Sequence, residues 1–149
     1  MTEPTENTRS LVFERQMPHS PEKVWRALTQ SWLIGEWLMA NDFVAEVGRR
    51  FTFRAKPLPG WSGVVNCEVL SVEAPHLLSY RWGDGSESES GLVTVVTWTM
   101  TPRGGGTLVR MEQSGFRPTD ERGHERMGQG WPLILERLDQ VVAELDGEK

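Results

Sequence analysis

The sequence predicts an α+β domain in which a curved antiparallel sheet of about six or seven strands wraps a long C-terminal helix. Three observations carry that expectation. SPEKVWRALTQ at residues 20–30 opens as a capped helix, GQGWPLILERLDQVVAEL at 128–145 is amphipathic, and the sequence between them is strand-like. A sheet gripping one helix tends to enclose a cavity, so this architecture points toward a bound apolar molecule.

Residues 1–8 are polar and read as a disordered tail, which leaves 9–146 as a single domain. RSLVFERQM (9–17) is expected as the first strand, ended by Pro18. Ser20 suits an N-cap, Pro21 the first helical position and Glu22 the first turn. Val24, Trp25 and Leu28 form the apolar face of that helix. A second short helix is expected over about 30–37, with Leu33, Ile34 and Trp37 inward. FVAEV (43–47) continues the strand-like stretch. Gly48 turns the chain into RRFTFRA, where Phe51 and Phe53 share a face at period two. Pro57, Pro59 and Gly60 break it again before GVVNCEVLSVE (63–73). Ala74, Pro75 and His76 lead into LLSYRW (77–82), and GDGSESESG (83–91) is a hairpin connection too polar to bury. LVTVVTWTMT (92–101) and TLVRMEQSGF (107–116) flank the turn PRGGG.

The last element carries a conflict. Met127, Trp131, Ile134, Leu138, Val141 and Leu145 recur at spacings of four and three, which is one helical stripe. Yet Gly123, Gly128, Gly130 and Pro132 crowd its first half. A proline inside a helix removes one hydrogen bond and clashes with the carbonyl four residues back, here Gly128, at a cost of about 3 kcal/mol. The helix should bend or restart near 128–132, run regularly over 132–145, and leave 123–132 as the mobile edge of any pocket.

Composition narrows the function classes. A chain of 149 residues suits one domain that buries about two-thirds of its unfolded surface. Sixteen basic residues against 21 acidic ones, a net charge of −5 and no basic stripe argue against a nucleic-acid partner. The single cysteine, Cys67, cannot form an internal disulfide, which fits a reducing compartment. MTEPTENTRS lacks a signal-peptide core, and no apolar run nears the roughly 20 residues of a membrane helix. A cytoplasmic protein without membrane insertion is expected.

The residues that carry chemistry elsewhere are poorly placed for it here. His19, His76 and His124 have no partner His or Cys at zinc-site spacing, and HERMG (124–128) lacks the second histidine of a metalloprotease motif. Ser20-x-x-Lys23 is explained by helix capping, and Gly60-Trp61-Ser62-Gly63 is one residue short of a nucleophile elbow. Glu68, Glu112 and Cys67 are the titratable groups nearest a pocket. No catalytic constellation, metal or cofactor is expected. The aromatic set is the candidate instead. Strand parity groups Phe51 with Phe53, Tyr80 with Trp82, Val96 with Trp98 and Met100, and Val109 with Met111 and Gln113.

The order of these segments, from about residue 10 to 145, resembles the START-like helix-grip superfamily (SRPBCC), in the branch named after the heat-shock-protein-90 ATPase activator. SPEKVWRALT, WLIGEWL, VGRRFTF, EVLSVEAPHLLSYRW, GGGTLVRMEQSGF and the GW-x-x-x-L-x-x-L helix carry the resemblance. It implies that the parity groups face the last helix. The cavity lining is then Trp37, Phe51, Phe53, Tyr80, Trp82, Val96, Trp98, Met111 and Gln113, met by Met127, Trp131 and Leu135. Gln113 would be a polar anchor, although core packing alone accounts for about half or more of the set. Three departures stand out: Arg49 where relatives carry a second glycine, Gln113 where a histidine is common, and Pro132 directly after the GW. The implied function is binding of a small apolar molecule or lipid. The alternatives are a co-chaperone-like domain with a chaperone partner, and a cyclase- or hydrolase-type enzyme using the same cavity.

Overall fold

The computed structural model describes residues 8–56, 63–83 and 93–146. Strand β1 (Arg9–Met17) leads to helices α1 (Pro21–Thr29) and α2 (Ser31–Trp37), then to the two-residue strand β2 (Ala40–Asn41). Strands β3 (Arg50–Arg54), β4 (Val64–Glu73), β5 (Leu77–Gly83), β6 (Val93–Arg103) and β7 (Gly106–Phe116) follow. A 3-10 turn (Pro118–Asp120) enters the 26-residue helix α3 (Glu121–Asp146). The strands form one curved antiparallel sheet in the order β1-β7-β6-β5-β4-β3-β2. This is the helix-grip arrangement: the first strand pairs with the last, and α3 follows directly from that last strand. Among the described residues no helix is long and apolar enough to cross a membrane.

Local chemistry explains the elements near the site. The Ser20 hydroxyl accepts the Lys23 N–H at 3.3 Å, capping α1. The Trp37 indole donates to the Ala27 carbonyl at 2.8 Å, tying α2 to α1. Two irregularities shape the sheet. Gly115 is the extra residue of β7 between Ser114 and Phe116, with φ +98, a left-handed value that favours glycine. Leu70 is the extra residue of β4, so Val69 pairs with Tyr80 and Ser71 with Ser79. Gly106 allows a close approach, since a Cβ there would lie 2.2 Å from the Met17 carbonyl oxygen.

Two expectations are corrected. FVAEV is not a strand. Asn41 bonds its own neighbourhood, donating to the Met39 and Ser31 carbonyls and accepting the Phe43 N–H. Asp42 accepts the Thr52 N–H at 2.7 Å, so these side chains occupy the groups a longer β2 would use. Phe43 alone of that stretch is buried. Nor does the last helix restart: α3 runs unbroken through Pro132. Its buried face (Trp131, Leu135, Leu138, Val142, Leu145) gains more, at roughly 1.5–3 kcal/mol per large side chain, than one lost bond removes. Residues 1–7 of the expected tail (1–8), the break at Pro57, Pro59 and Gly60, and the acidic connection with Asp84, Glu87 and Glu89 lie outside the described residues.

The C-terminal half of α3 is fastened by charge. Arg15 points inward from β1, and its Nε donates to Asp139 at 2.8 Å; His19 Nε2 meets the other oxygen of that carboxylate at 2.8 Å. The His19 carbonyl in turn accepts the buried Thr107 hydroxyl at 2.6 Å. At the other end of α3, Asp120 accepts from the Arg117 backbone and guanidinium, which holds its carboxyl below the usual range. Asp139→Ala should cost about 1–3 kcal/mol by removing the carboxylate that the buried His19 ring and Arg15 share. Arg15→Ala, at a half-exposed position, should cost less. Urea unfolding of both variants checks the order.

Candidate functional site

Alternation along five strands delivers one apolar face. Register sets Tyr80 opposite Val69 and Val96, Trp98 opposite Leu78 and Met111, and Gln113 opposite Val96 and Leu11. Trp131 reaches this face from α3 and Trp37 from α2. Eleven of the twelve residues named from sequence are at most 3% exposed, and Met127 is half-buried.

The rings form a closed circuit. Phe51 meets Phe53 at a centroid distance of 5.3 Å, Phe53 meets Trp82 at 5.3 Å, and Trp82 meets Trp131 at 6.0 Å. Trp131 meets Trp98 at 5.8 Å with planes at 76°. The Trp98 indole donates to the Tyr80 hydroxyl at 3.0 Å, and Tyr80 returns to Phe51 at 5.4 Å. Trp37 and Phe43 extend it outward, against Trp98 at 5.6 Å and Phe51 at 4.9 Å. Edge-to-face pairs of this kind contribute about 0.5–1.5 kcal/mol each beyond buried area.

Beside the Trp98–Tyr80 pair, polar groups form a short chain. The Trp131 indole donates to Gln113 Oε1 at 2.7 Å, Gln113 Nε2 donates to Thr94 Oγ1 at 2.9 Å, and Thr94 donates to the Trp82 carbonyl at 3.3 Å. Gln113 is an anchor, then, but for Trp131 and Thr94. Thr94 and Phe43 were not named from sequence. Inward parity with Val96 and Trp98 was the signal for Thr94, whereas Phe43 lies in irregular backbone where periodicity says nothing.

The remaining candidates are chemically quiet. Burial pushes the Cys67 thiol above its ordinary range, with Asp42 adding to the effect, so little thiolate forms at neutral pH. Burial likewise raises Tyr80. Glu68 is paired with Arg81, and Glu112 with Arg110. His76 Nδ1 lies 3.2 Å from the Met100 carbonyl, and His124 packs on Phe116 at 5.0 Å. Among the described residues no group of three His, Cys, Asp or Glu side chains converges. Among the described residues are two surface depressions, the second of which reaches Phe51 of the aromatic circuit. One, of about 370 Å³, lies between Leu11 of β1 and His124 and Gly128 of α3; the other, about 340 Å³, lies beside Arg50, Asn66 and Arg81.

Comparison with known proteins gives this geometry a family. The model described as "Activator of Hsp90 ATPase homolog 1-like protein" matches residues 18–143. The crystal structure of protein MLL2253 from Mesorhizobium loti is 48% identical, covers 95% of this chain and 99% of its own, and superposes with a TM-score of 0.83. The solution structure of protein BH1534 from Bacillus halodurans is 30% identical over 90% of this chain and 96% of its own, with a TM-score of 0.72. The Aha1 dimer from Colwellia psychrerythraea shares the fold at 20% identity, covering 90% of this chain and 96% of its own, with a TM-score of 0.74. No match was found among curated proteins.

Gln113→Leu should leave the Trp131 indole proton without its acceptor and the Thr94 oxygen without its donor, at a cost of about 1–3 kcal/mol. The change should appear as a lower midpoint in urea, with the slope unchanged.

Proposed function

The chain belongs to the Activator of Hsp90 ATPase homolog 1-like family, and on that premise we propose that it binds a small hydrophobic molecule between the sheet and α3. The closed circuit of six buried rings supports this reading most directly. A predominantly apolar interior with a few directional polar groups is the chemistry of a small-molecule site. Ordinary core packing would account for the apolar area. It would not by itself require so much of that area to be aromatic, with each indole of the circuit's two central tryptophans, Trp98 and Trp131, bonded to a side chain.

The proposed way in is along the first half of α3. Pro132 leaves the Gly128 carbonyl without its helical donor, and Gly123 and Gly130 weaken the turns around it by up to about 1 kcal/mol each. Gly128 lies against Leu11 of β1, where a Cβ would stand 3.3 Å from the Leu11 Cδ2. Farther along, Asp139 fastens the helix to Arg15 and His19. In this reading Trp131, beside the half-buried Met127, swings as the door while the second half of α3 stays in place. A chaperone contact is the second reading. It draws on the family's name and on Trp32, which is 61% exposed on α2 and of a residue type favoured at protein contacts.

Native mass spectrometry of the protein purified gently from its own cells tests the first reading. The expected spectrum shows the chain mass plus a small-molecule increment that denaturing solvent removes. A bare chain mass, with no saturable uptake of an added apolar probe such as indane, would rule it out.

A further inference from the structure

The sheet has two edges, and they differ. At β2 the chain closes its own edge: the strand is two residues long, and Asp42 accepts the Thr52 N–H of β3 beside it at 2.7 Å. At the other edge β1 is nine residues long and pairs with β7 alone. A strand bonded on one side presents every second N–H and C=O outward.

The ladder identifies those residues. The Met100 N–H bonds the His76 carbonyl across β5 and β6, so Trp98, Val96 and Thr94 bond β5 as well, and Thr99, Thr97 and Val95 bond β7. Their partners Arg110, Glu112 and Ser114 are thereby used, which leaves Val109, Met111 and Gln113 to bond Arg15, Phe13 and Leu11. Ser10, Val12, Glu14 and Gln16 then carry the outward groups. All four are exposed, and among the described residues nothing outside the sheet bonds their backbone. Residues 10–17 also lack the lysine, proline or register shift that commonly blunts an edge, and the inward charge of Arg15 is already paired with Asp139.

This edge fits a second copy of itself. Three antiparallel registers engage three or more of the four outward residues. Centred on Glu14, that carboxylate opposes its own copy; centred on Val12, Arg9 opposes Arg15. Centred on Phe13, no like charges are opposed: Ser10 pairs with Gln16, Val12 with Glu14 and Leu11 with Arg15. Phe13 then faces Phe13 in a pair without hydrogen bonds, where opposing side chains stand closest. The same register carries charge across. Arg15 of one copy comes opposite Leu11 of the other, at the groove of about 370 Å³ that Leu11, Glu121 and Glu125 line. Asp139 holds its Nε, which leaves its terminal nitrogens to reach those carboxylates, and neither Glu121 nor Glu125 has an ion-pair partner among the described residues.

We propose that two copies of this chain pair antiparallel through β1 about a two-fold axis at Phe13, joining their sheets into one. The interface is independent of the ligand-binding reading and of Trp32 on α2.

Sedimentation equilibrium of the full chain should show a reversible monomer–dimer equilibrium. Val12→Pro should weaken it about tenfold or more, because the N–H it removes faces away from β7 and is lost in both copies. Phe13→Cys should give a disulfide-linked dimer under mild oxidation. Glu14→Cys should not, since its two Cα atoms would lie about 8 Å apart, beyond disulfide reach. Amide exchange reads the same edge in the wild type: Ser10, Val12, Glu14 and Gln16 should gain protection as concentration rises, while Leu11, Phe13 and Arg15 stay protected throughout. If Val12→Pro does not fold, the crosslinks and the wild-type exchange decide. A chain that is monomeric at every concentration overturns the proposal; slow outward amides would then assign the edge to another segment of the chain, and fast ones would leave it bare. A dimer that Val12→Pro leaves intact, or that Glu14→Cys crosslinks as readily as Phe13→Cys, also overturns it.

Discussion

One buried hydrogen bond, from the Trp131 indole to Gln113 at 2.7 Å, holds the helix in register over the sheet. Both partners are fully buried. Gln113 is a polar residue in an apolar layer, and it is tolerated there because its oxygen and one N–H are both used. Once Trp131 is pinned, its ring bridges Trp82 and Trp98, and the aromatic circuit closes. Sliding α3 by one residue would break the bond and the ring contacts together. Helix register and core packing are thus one constraint.

That constraint divides α3 by strength. Its second half has Leu138, Val142 and Leu145 buried and Asp139 held by Arg15 and His19. Its first half has three glycines, a proline and the half-buried Met127, with Trp131 as the anchor at its end. Local opening draws on the region with the fewest buried contacts and backbone bonds. The proposed way in follows from that imbalance, and so does the proposed role of Trp131 as both lock and door.

Much of this was legible in the sequence, for reasons that differ by element. The Ser20 cap and Pro21 fixed the start of α1, because capping chemistry is local. Alternation paired Phe51 with Phe53, Tyr80 with Trp82, Val96 with Trp98 and Met111 with Gln113, because the side-chain period of a strand is two, and the family resemblance turned those pairs toward the last helix. The FVAEV stretch misled, since its hydrophobicity suits a strand while Asn41 and Asp42 commit the backbone to side-chain bonds. The clamp of Asp139 on Arg15 and His19 spans about 120 residues of chain and left no local signal. Pairwise bonding within the interior, such as Gln113 with Thr94, depends on register, which periodicity does not supply.

The central claim is that Trp131 closes the interior and opens without the rest of the protein unfolding. Hydrogen exchange at the indole nitrogens of protein carrying nitrogen-15 tryptophan tests it most directly. The account predicts three classes: Trp32 fast, Trp37 and Trp98 slowest, and Trp131 between them. Exchange at Trp131 as fast as at Trp32 would mean the bond to Gln113 is not made. Exchange as slow as at Trp98 would mean that the helix opens only with the whole fold, which contradicts the account.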